Sequence, residues 1–163
     1  MAFNLVQEVF SLAELPSVAS QLAEAWVQET LARPVVVGIS GGMGAGKTTL
    51  VRGVVAYLHG SPEVTSPTFD LIHVHNGPRC TVVHIDLYRL SPDEVGSLDL
   101  DHYLQTPGVL MLIEWPERAA DILLDGVLTL TRLENENRQV GLMFRNNFFW
   151  ERGNHSCEQG GLN

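Results

Sequence analysis

The residues best suited to chemistry lie in one run, Ser40-Gly41-Gly42-Met43-Gly44-Ala45-Gly46-Lys47-Thr48-Thr49. Within it, Gly41-x-x-x-x-Gly46-Lys47-Thr48 has the spacing of a phosphate-binding loop, the Walker A pattern. Glycines let the backbone curl until several N–H groups point at one anion. A helix that starts there aims its N-terminus, with a partial charge of about +0.5, at the same anion. Lys47 adds a mobile full charge for the β- and γ-phosphates, and Thr48 offers its hydroxyl to a magnesium ion. Lys47 is also the chain's only lysine, the other nine basic residues being arginines. Arginine is too rigid and forked to replace an ammonium folded back into such a loop. No second lysine remains for an Asn-Lys-x-Asp motif, which commonly reads guanine, so the pattern favours ATP over GTP.

A site of this kind also needs a carboxylate at the end of a nearby strand, to hold magnesium or its waters and to place the attacking water. Val83-His84-Ile85-Asp86 and Met111-Leu112-Ile113-Glu114 each end an apolar run in an acid. The residues alone do not divide the roles between Asp86 and Glu114. Ser66-Pro67-Thr68-Phe69 reads either as a simple turn or as a switch whose threonine senses the γ-phosphate or magnesium. Arg89 and Arg118 follow the two acids closely and suit either phosphate neutralisation or surface ion pairing. His84 reads as a packed strand histidine. Trp115 suits the core, a base-stacking ring or a partner contact.

These groups need elements to position them. Val35 to Ile39 is a short β-branched run that reads as a buried strand leading into the loop. Leu50, Val51, Val54, Val55 and Leu58 have helical spacing behind it, closed by Gly60 and Pro62. Upstream, residues 4–10 alternate as an edge strand. Ser11 and Glu14 form a capping-box pattern for a helix over Leu12 to Leu31, with Leu15, Val18, Leu22, Trp26 and Leu31 as its apolar stripe. Downstream, Phe69 to His75 and Thr81 to Leu87 flank Asn76-Gly77, a pair that favours positive φ in a hairpin. Val109 to Glu114 is a further buried strand. Val127 to Leu133 and Arg138 to Phe144 flank a second hairpin at 134–137. Helices are predicted over Pro92 to Leu104 and Pro116 to Leu124.

The chain has 163 residues, 45% apolar and 18% charged, which suits one globular domain able to bury its own core. We expect that domain over 1–145, followed by a disordered or loosely docked tail over 146–163. The formal net charge of −9 argues against a free-standing nucleic-acid binder and against docking on an anionic membrane. Cys80 and Cys157 are too few and too far apart for a zinc knuckle or a disulfide framework, and they fit a reduced cytoplasmic setting. No apolar run has the length of a membrane span, and the acidic N-terminal stretch is unlike a secretory signal.

Four segments occur here in a fixed order: GGMGAGKTT at 41–49, SPTF at 66–69, HIDLYRL at 84–90 and IEWPER at 113–118. Together they resemble the TsaE (YjeE) family, small bacterial ATPases of tRNA threonylcarbamoyladenosine biosynthesis. The resemblance runs from about residue 5 to residue 145, and the last two segments are far more specific than the phosphate loop. It implies an α/β P-loop NTPase sandwich, with parallel central strands and antiparallel edge strands. It implies ATP and magnesium as cofactors, and slow hydrolysis that rises with a partner. That partner would be a TsaB–TsaD-type complex, which handles the tRNA and is reset by hydrolysis between turnovers.

By motif position, the resemblance makes Gly41 to Thr49 the nucleotide loop, with Lys47 on phosphate and Thr48 on magnesium. Thr68 becomes the switch threonine, Glu114 a magnesium ligand and Asp86 an organiser of water. Trp115 matches a tryptophan implicated in activity. The family loop usually reads GDLGAGKT, so Gly42 stands where an Asp is usual, which bears on turnover more than on binding. Two other functions share the loop: a small-molecule kinase, and a nucleotide-binding interaction module with little catalysis. Arg132 and Arg138 flank a hairpin and do not cluster as a kinase lid would.

Overall fold

The computed structural model describes residues 3–60, 71–119 and 121–145. Seven strands and four α-helices follow one another: β1 (Phe3–Phe10), α1 (Leu15–Thr30), β2 (Val35–Gly41), α2 (Lys47–His59), β3 (Ile72–Asn76), β4 (Thr81–Asp86), α3 (Pro92–Gly96), α4 (Asp101–Gln105), β5 (Val109–Glu114), β6 (Gly126–Arg132) and β7 (Arg138–Arg145). Short 3-10 turns at Leu12–Glu14 and Pro116–Arg118 complete the order. The strands form one sheet in the order β1-β7-β6-β2-β5-β4-β3. Strands β6, β2, β5 and β4 run parallel, while β1, β7 and β3 are antiparallel to their neighbours. This is the α/β sandwich with antiparallel edges that the motifs implied.

Alternation within the central strands builds two cores. Val35, Val37, Ile39, Leu110, Leu112 and Val82 face α1 and α2, where they meet Leu22, Trp26, Leu50 and Val54. Val36, Met111, Ile113, Val83 and Ile85 face the other way, under Leu87, Leu90, Val95 and Leu100. Strands buried on both faces carry almost no polar residues, which is why β2 and β5 read as unbroken apolar runs. Gly38 allows the chain after β5 to close on β2, since a Cβ there would stand 2.7 Å from the Pro116 Cβ.

Local sequence signals explain most boundaries. Glu14 accepts from the Ser11 amide at 2.9 Å and from its hydroxyl at 3.0 Å, as a capping box should. The helix proper ends at Thr30, whose carbonyl accepts from the Gly108 amide at 2.7 Å. Leu31 falls beyond that end and is 71% exposed, so it does not belong to the apolar stripe. Ser91 and Glu94 make a second capping box, but the helix from Pro92 stops at Gly96 and a new one begins at Asp101. Gly96 and Ser97 are poor helix formers, and the Ser97 hydroxyl turns back to donate to the Asp93 carbonyl. The predicted helix over Pro116 to Leu124 is reduced to one 3-10 turn ending at Arg118. The first hairpin forms, but neither Asn76 nor Gly77 has positive φ, because the loop extends through Cys80 before β4 begins. In the second hairpin it is Glu136 that takes positive φ, at 64°. Thr68 with the rest of Ser66 to Phe69, and the tail over 146–163, lie outside the described residues.

Trp26 is the largest fully buried side chain among the described residues and joins α1 to the sheet. Trp26→Ala should lower unfolding free energy by about 3–5 kcal/mol, the cost of emptying so large a core position. Urea unfolding of the variant beside the wild type measures it.

Candidate functional site

Three parallel strands end together at one edge of the sheet. Ile39 of β2 pairs with Glu114 of β5, and Asp86 of β4 pairs with the same Glu114. The crevice beyond the carboxyl ends of such strands is where open α/β sheets bind ligands. Gly41 to Gly46 curl over that edge and deliver the chain into α2. Gly41 has φ 143°, and a Cβ on it would meet the Leu130 carbonyl oxygen at 2.3 Å, so only glycine fits. Gly46 caps α2 with φ 105°, and the Leu50 amide bonds its carbonyl at 2.9 Å. Gly42 and Gly44 are exposed, and Met43 is 76% exposed at the tip, with its side chain turned outward. Ala45 is buried beneath the loop, while Thr49 lies exposed on the first turn of α2.

The lone lysine is drawn into this loop. Lys47 is only 6% exposed, and its Nζ donates to the carbonyls of Gly41 at 2.8 Å and Gly42 at 2.9 Å. The Trp115 ring covers the same ammonium, 4.1 Å from Nζ to centroid, a cation–π contact. Trp115 itself has φ 59°, a positive value rare outside glycine, which costs about 1–3 kcal/mol and is typical of functional sites. Tyr88 packs against its ring at 5.0 Å between centroids. Burial pushes the Lys47 ammonium below the ordinary lysine range, and Glu114, Asp86 and Glu117 pull it part of the way back.

Glu114 is the most enclosed acid among the described residues, 2% exposed. One carboxylate oxygen accepts from the Thr48 hydroxyl at 3.1 Å, and the other lies 2.8 Å from His84 Nε2. Asp86 is half-buried, and its Oδ1 accepts from the Tyr88 amide at 3.0 Å. Thr48, Glu114 and Asp86 offer only oxygen donors, the chemistry magnesium selects. Among the described residues no cluster of three or more His, Cys, Asp or Glu is arranged as a protein-only metal cage.

Sequence reasoning brought Lys47, Thr48, Glu114, Asp86 and Trp115 to this edge, and they meet there. It missed two contributors. Arg138 is buried and donates from Nε to the Ala45 carbonyl at 2.9 Å, bracing the loop from behind with β7. Its Nη1 donates to the Glu136 carbonyl at 2.7 Å, so the guanidinium bridges hairpin and loop. His84 is the other, a strand histidine that touches the candidate magnesium acid. Arg118 donates to the Leu90 carbonyl at 2.7 Å, and Arg89 is exposed.

The sequence profile described as "Threonylcarbamoyl adenosine biosynthesis protein TsaE" matches residues 10–140, most of the chain. The chain belongs to the TsaE family. It is similar to the tRNA threonylcarbamoyladenosine biosynthesis protein TsaE of Nostoc sp., 45% identical over 94 residues, which are 55% of this chain and 57% of that protein. The match thus spans little more than half of that relative's length. The TsaE protein of Rickettsia prowazekii is 29% identical over 119 residues, 71% of this chain and 81% of that one. Among solved structures, YdiB of Bacillus subtilis shares the fold, with a TM-score of 0.68 at 23% identity over 90% of each chain. No helix among the described residues is long and apolar enough to cross a membrane.

The depressed Lys47 value has a sign that can be measured. The unfolded chain holds that proton more tightly, so it binds more protons than the folded one between the two pKa values. Stability therefore rises with pH across that window, up to the ordinary lysine range. Lys47→Met removes this rise. Urea unfolding in a pH series should show the wild type gaining on the variant as pH climbs from neutral toward the lysine range. A constant difference would contradict the buried-charge account.

Proposed function

We propose that this chain binds ATP with magnesium, hydrolyses it slowly alone, and serves tRNA threonylcarbamoyladenosine biosynthesis by resetting a TsaB–TsaD-type complex between turnovers. The observation that carries the reading is the meeting of Lys47, Thr48, Glu114 and Asp86 at one strand edge, beneath a glycine loop that starts a helix. The loop amides and the α2 N-terminus receive the β- and γ-phosphates. Lys47 exchanges the Gly41 and Gly42 carbonyls for phosphate oxygens as its better partners. Thr48 and Glu114 would hold magnesium, which neutralises charge on the phosphate oxygens when bound. Asp86, at the end of the adjoining strand, would orient the water that attacks the γ-phosphorus and take its proton, while the bond from that phosphorus to the β–γ bridging oxygen breaks and ADP leaves with the bonding pair. Thr68 acts as the switch that senses the γ-phosphate. The tRNA contact belongs to the partner, and a cytoplasmic setting suits Cys80, a free buried thiol whose pKa burial pushes up.

The kinase reading draws less support: Arg132 pairs with Glu136 at the surface and Arg138 donates to backbone carbonyls, so these two form no arginine-rich lid in this structure.

Release of inorganic phosphate should depend on magnesium and rise several-fold when a TsaB–TsaD complex and tRNA are added. An unchanged rate with nucleotide binding intact would count against the role in resetting. Lys47→Ala should abolish nucleotide affinity in a binding assay.

Gly42 separates catalysis from mere binding. A Cβ at Gly42 meets nothing within 4 Å, and its φ lies outside the positive range, so the usual family Asp fits without strain. Gly42→Asp should therefore leave stability within about 0.5 kcal/mol. Phosphate release by the variant should be several-fold faster than wild type, and equal rates would mark the position as neutral.

A further inference from the structure

His84 has no part in the reaction just described, yet every polar contact of its ring goes to the site. His84 is 1% exposed, and its Nε2 lies 2.8 Å from Glu114 Oε1. A carboxylate oxygen at that distance accepts, which assigns the donor role to Nε2 in the tautomer this contact requires. Its Nδ1 is buried and has no hydrogen-bond partner. In the sheet His84 pairs with Leu112, and Glu114 stands two residues further on the same face of β5. The register therefore sets the ring beside the carboxylate. The second carboxylate oxygen is left turned toward Thr48, 3.1 Å from its hydroxyl.

We propose that His84 is a positioning residue for the magnesium site: by holding Glu114 Oε1, it keeps Oε2 directed at Thr48, the pair that would bind the ion. This rests on the magnesium-nucleotide reading above. Without the imidazole donor, Oε1 of a carboxylate only 2% exposed loses its partner, and the carboxylate is free to rotate away from Thr48. Loss of such an outer partner typically weakens metal affinity or activity about 10–100-fold. A residue present only for packing would leave the metal response unchanged when replaced by an apolar side chain of similar size.

The test measures binding of ADP, with and without Mg²⁺, by titration calorimetry on wild type, His84→Leu and His84→Gln. Glutamine can present an amide donor near the place of Nε2, and leucine cannot. We expect all three to bind ADP alone within about twofold of one another. The strengthening by Mg²⁺ should fall tenfold or more in His84→Leu and return in His84→Gln. Equal Mg²⁺ responses in all three overturn the proposal, as does a glutamine variant as impaired as the leucine one. Wild-type protein that binds no ADP at all would instead overturn the nucleotide reading itself. A second measurement needs no variant: the His84 Nε2–H resonance in the full chain should shift when Mg²⁺ is added to the ADP complex and stay fixed when Mg²⁺ is added without nucleotide. A resonance indifferent to Mg²⁺ in both cases also overturns it.

Discussion

A carboxylate sealed at the end of a central strand is the constraint from which the site follows. Removing an ion from water costs several kcal/mol unless it is paired or hydrogen-bonded. Glu114 meets that cost with Thr48 on one oxygen and His84 on the other. Both partners come from other elements, the first turn of α2 and the middle of β4. They reach it only because β2, β5 and β4 run parallel in one register, ending side by side. Slipping β4 by one residue would turn His84 to the opposite face and leave the carboxylate half satisfied. The fold's parallel core is thus tied to the chemistry at its edge.

The loop above that edge is held by two cations used in different ways. Arg138 binds the Ala45 carbonyl from behind with a rigid, buried fork, and it comes from β7, on the far side of β6. Lys47 lies in front on a flexible stem, with carbonyls and a tryptophan ring as partners. Those contacts satisfy the ammonium without tying it to a carboxylate, so it can leave them for a phosphate at modest cost. The two residues divide bracing from binding, and the division follows from the stiffness of the guanidinium against the mobility of the ammonium.

Much of this was legible in the chain. The β2 run, the glycine loop and the spacing of Leu50 to Leu58 are local signals, and they gave strand, loop and helix in the right places. The acids at the ends of β4 and β5 were visible because apolar runs ended in carboxylates. Arg138 and His84 were not, because their meaning is non-local. Arg138 reaches a carbonyl 93 residues away, and His84 a carboxylate 30 residues away. Only the pairing of β6 with β7 and of β4 with β5 brings those contacts about. The helices after Pro92 and Pro116 are shorter than their periodicity predicts, because periodicity does not register that Ser97 turns back on its own backbone. Nor does it register that Trp115 enters its turn at positive φ.

The acidic composition takes on a sharper sense once the basic residues are placed. Of the cations described, Lys47, Arg118 and Arg138 are spent on backbone carbonyls. Arg33, Arg79 and Arg132 are paired with Asp125, Glu24 and Glu136. That leaves Arg52 and Arg89 among the described side chains, too few to neutralise a run of RNA phosphates. Affinity for a phosphate backbone grows with the number of contacts that release counterions. Among the described side chains, few cations lack a carboxylate or carbonyl partner to supply that term. Lys47 and Arg138, in contrast, stand beneath and behind one loop, where Lys47 is placed to meet a single polyphosphate.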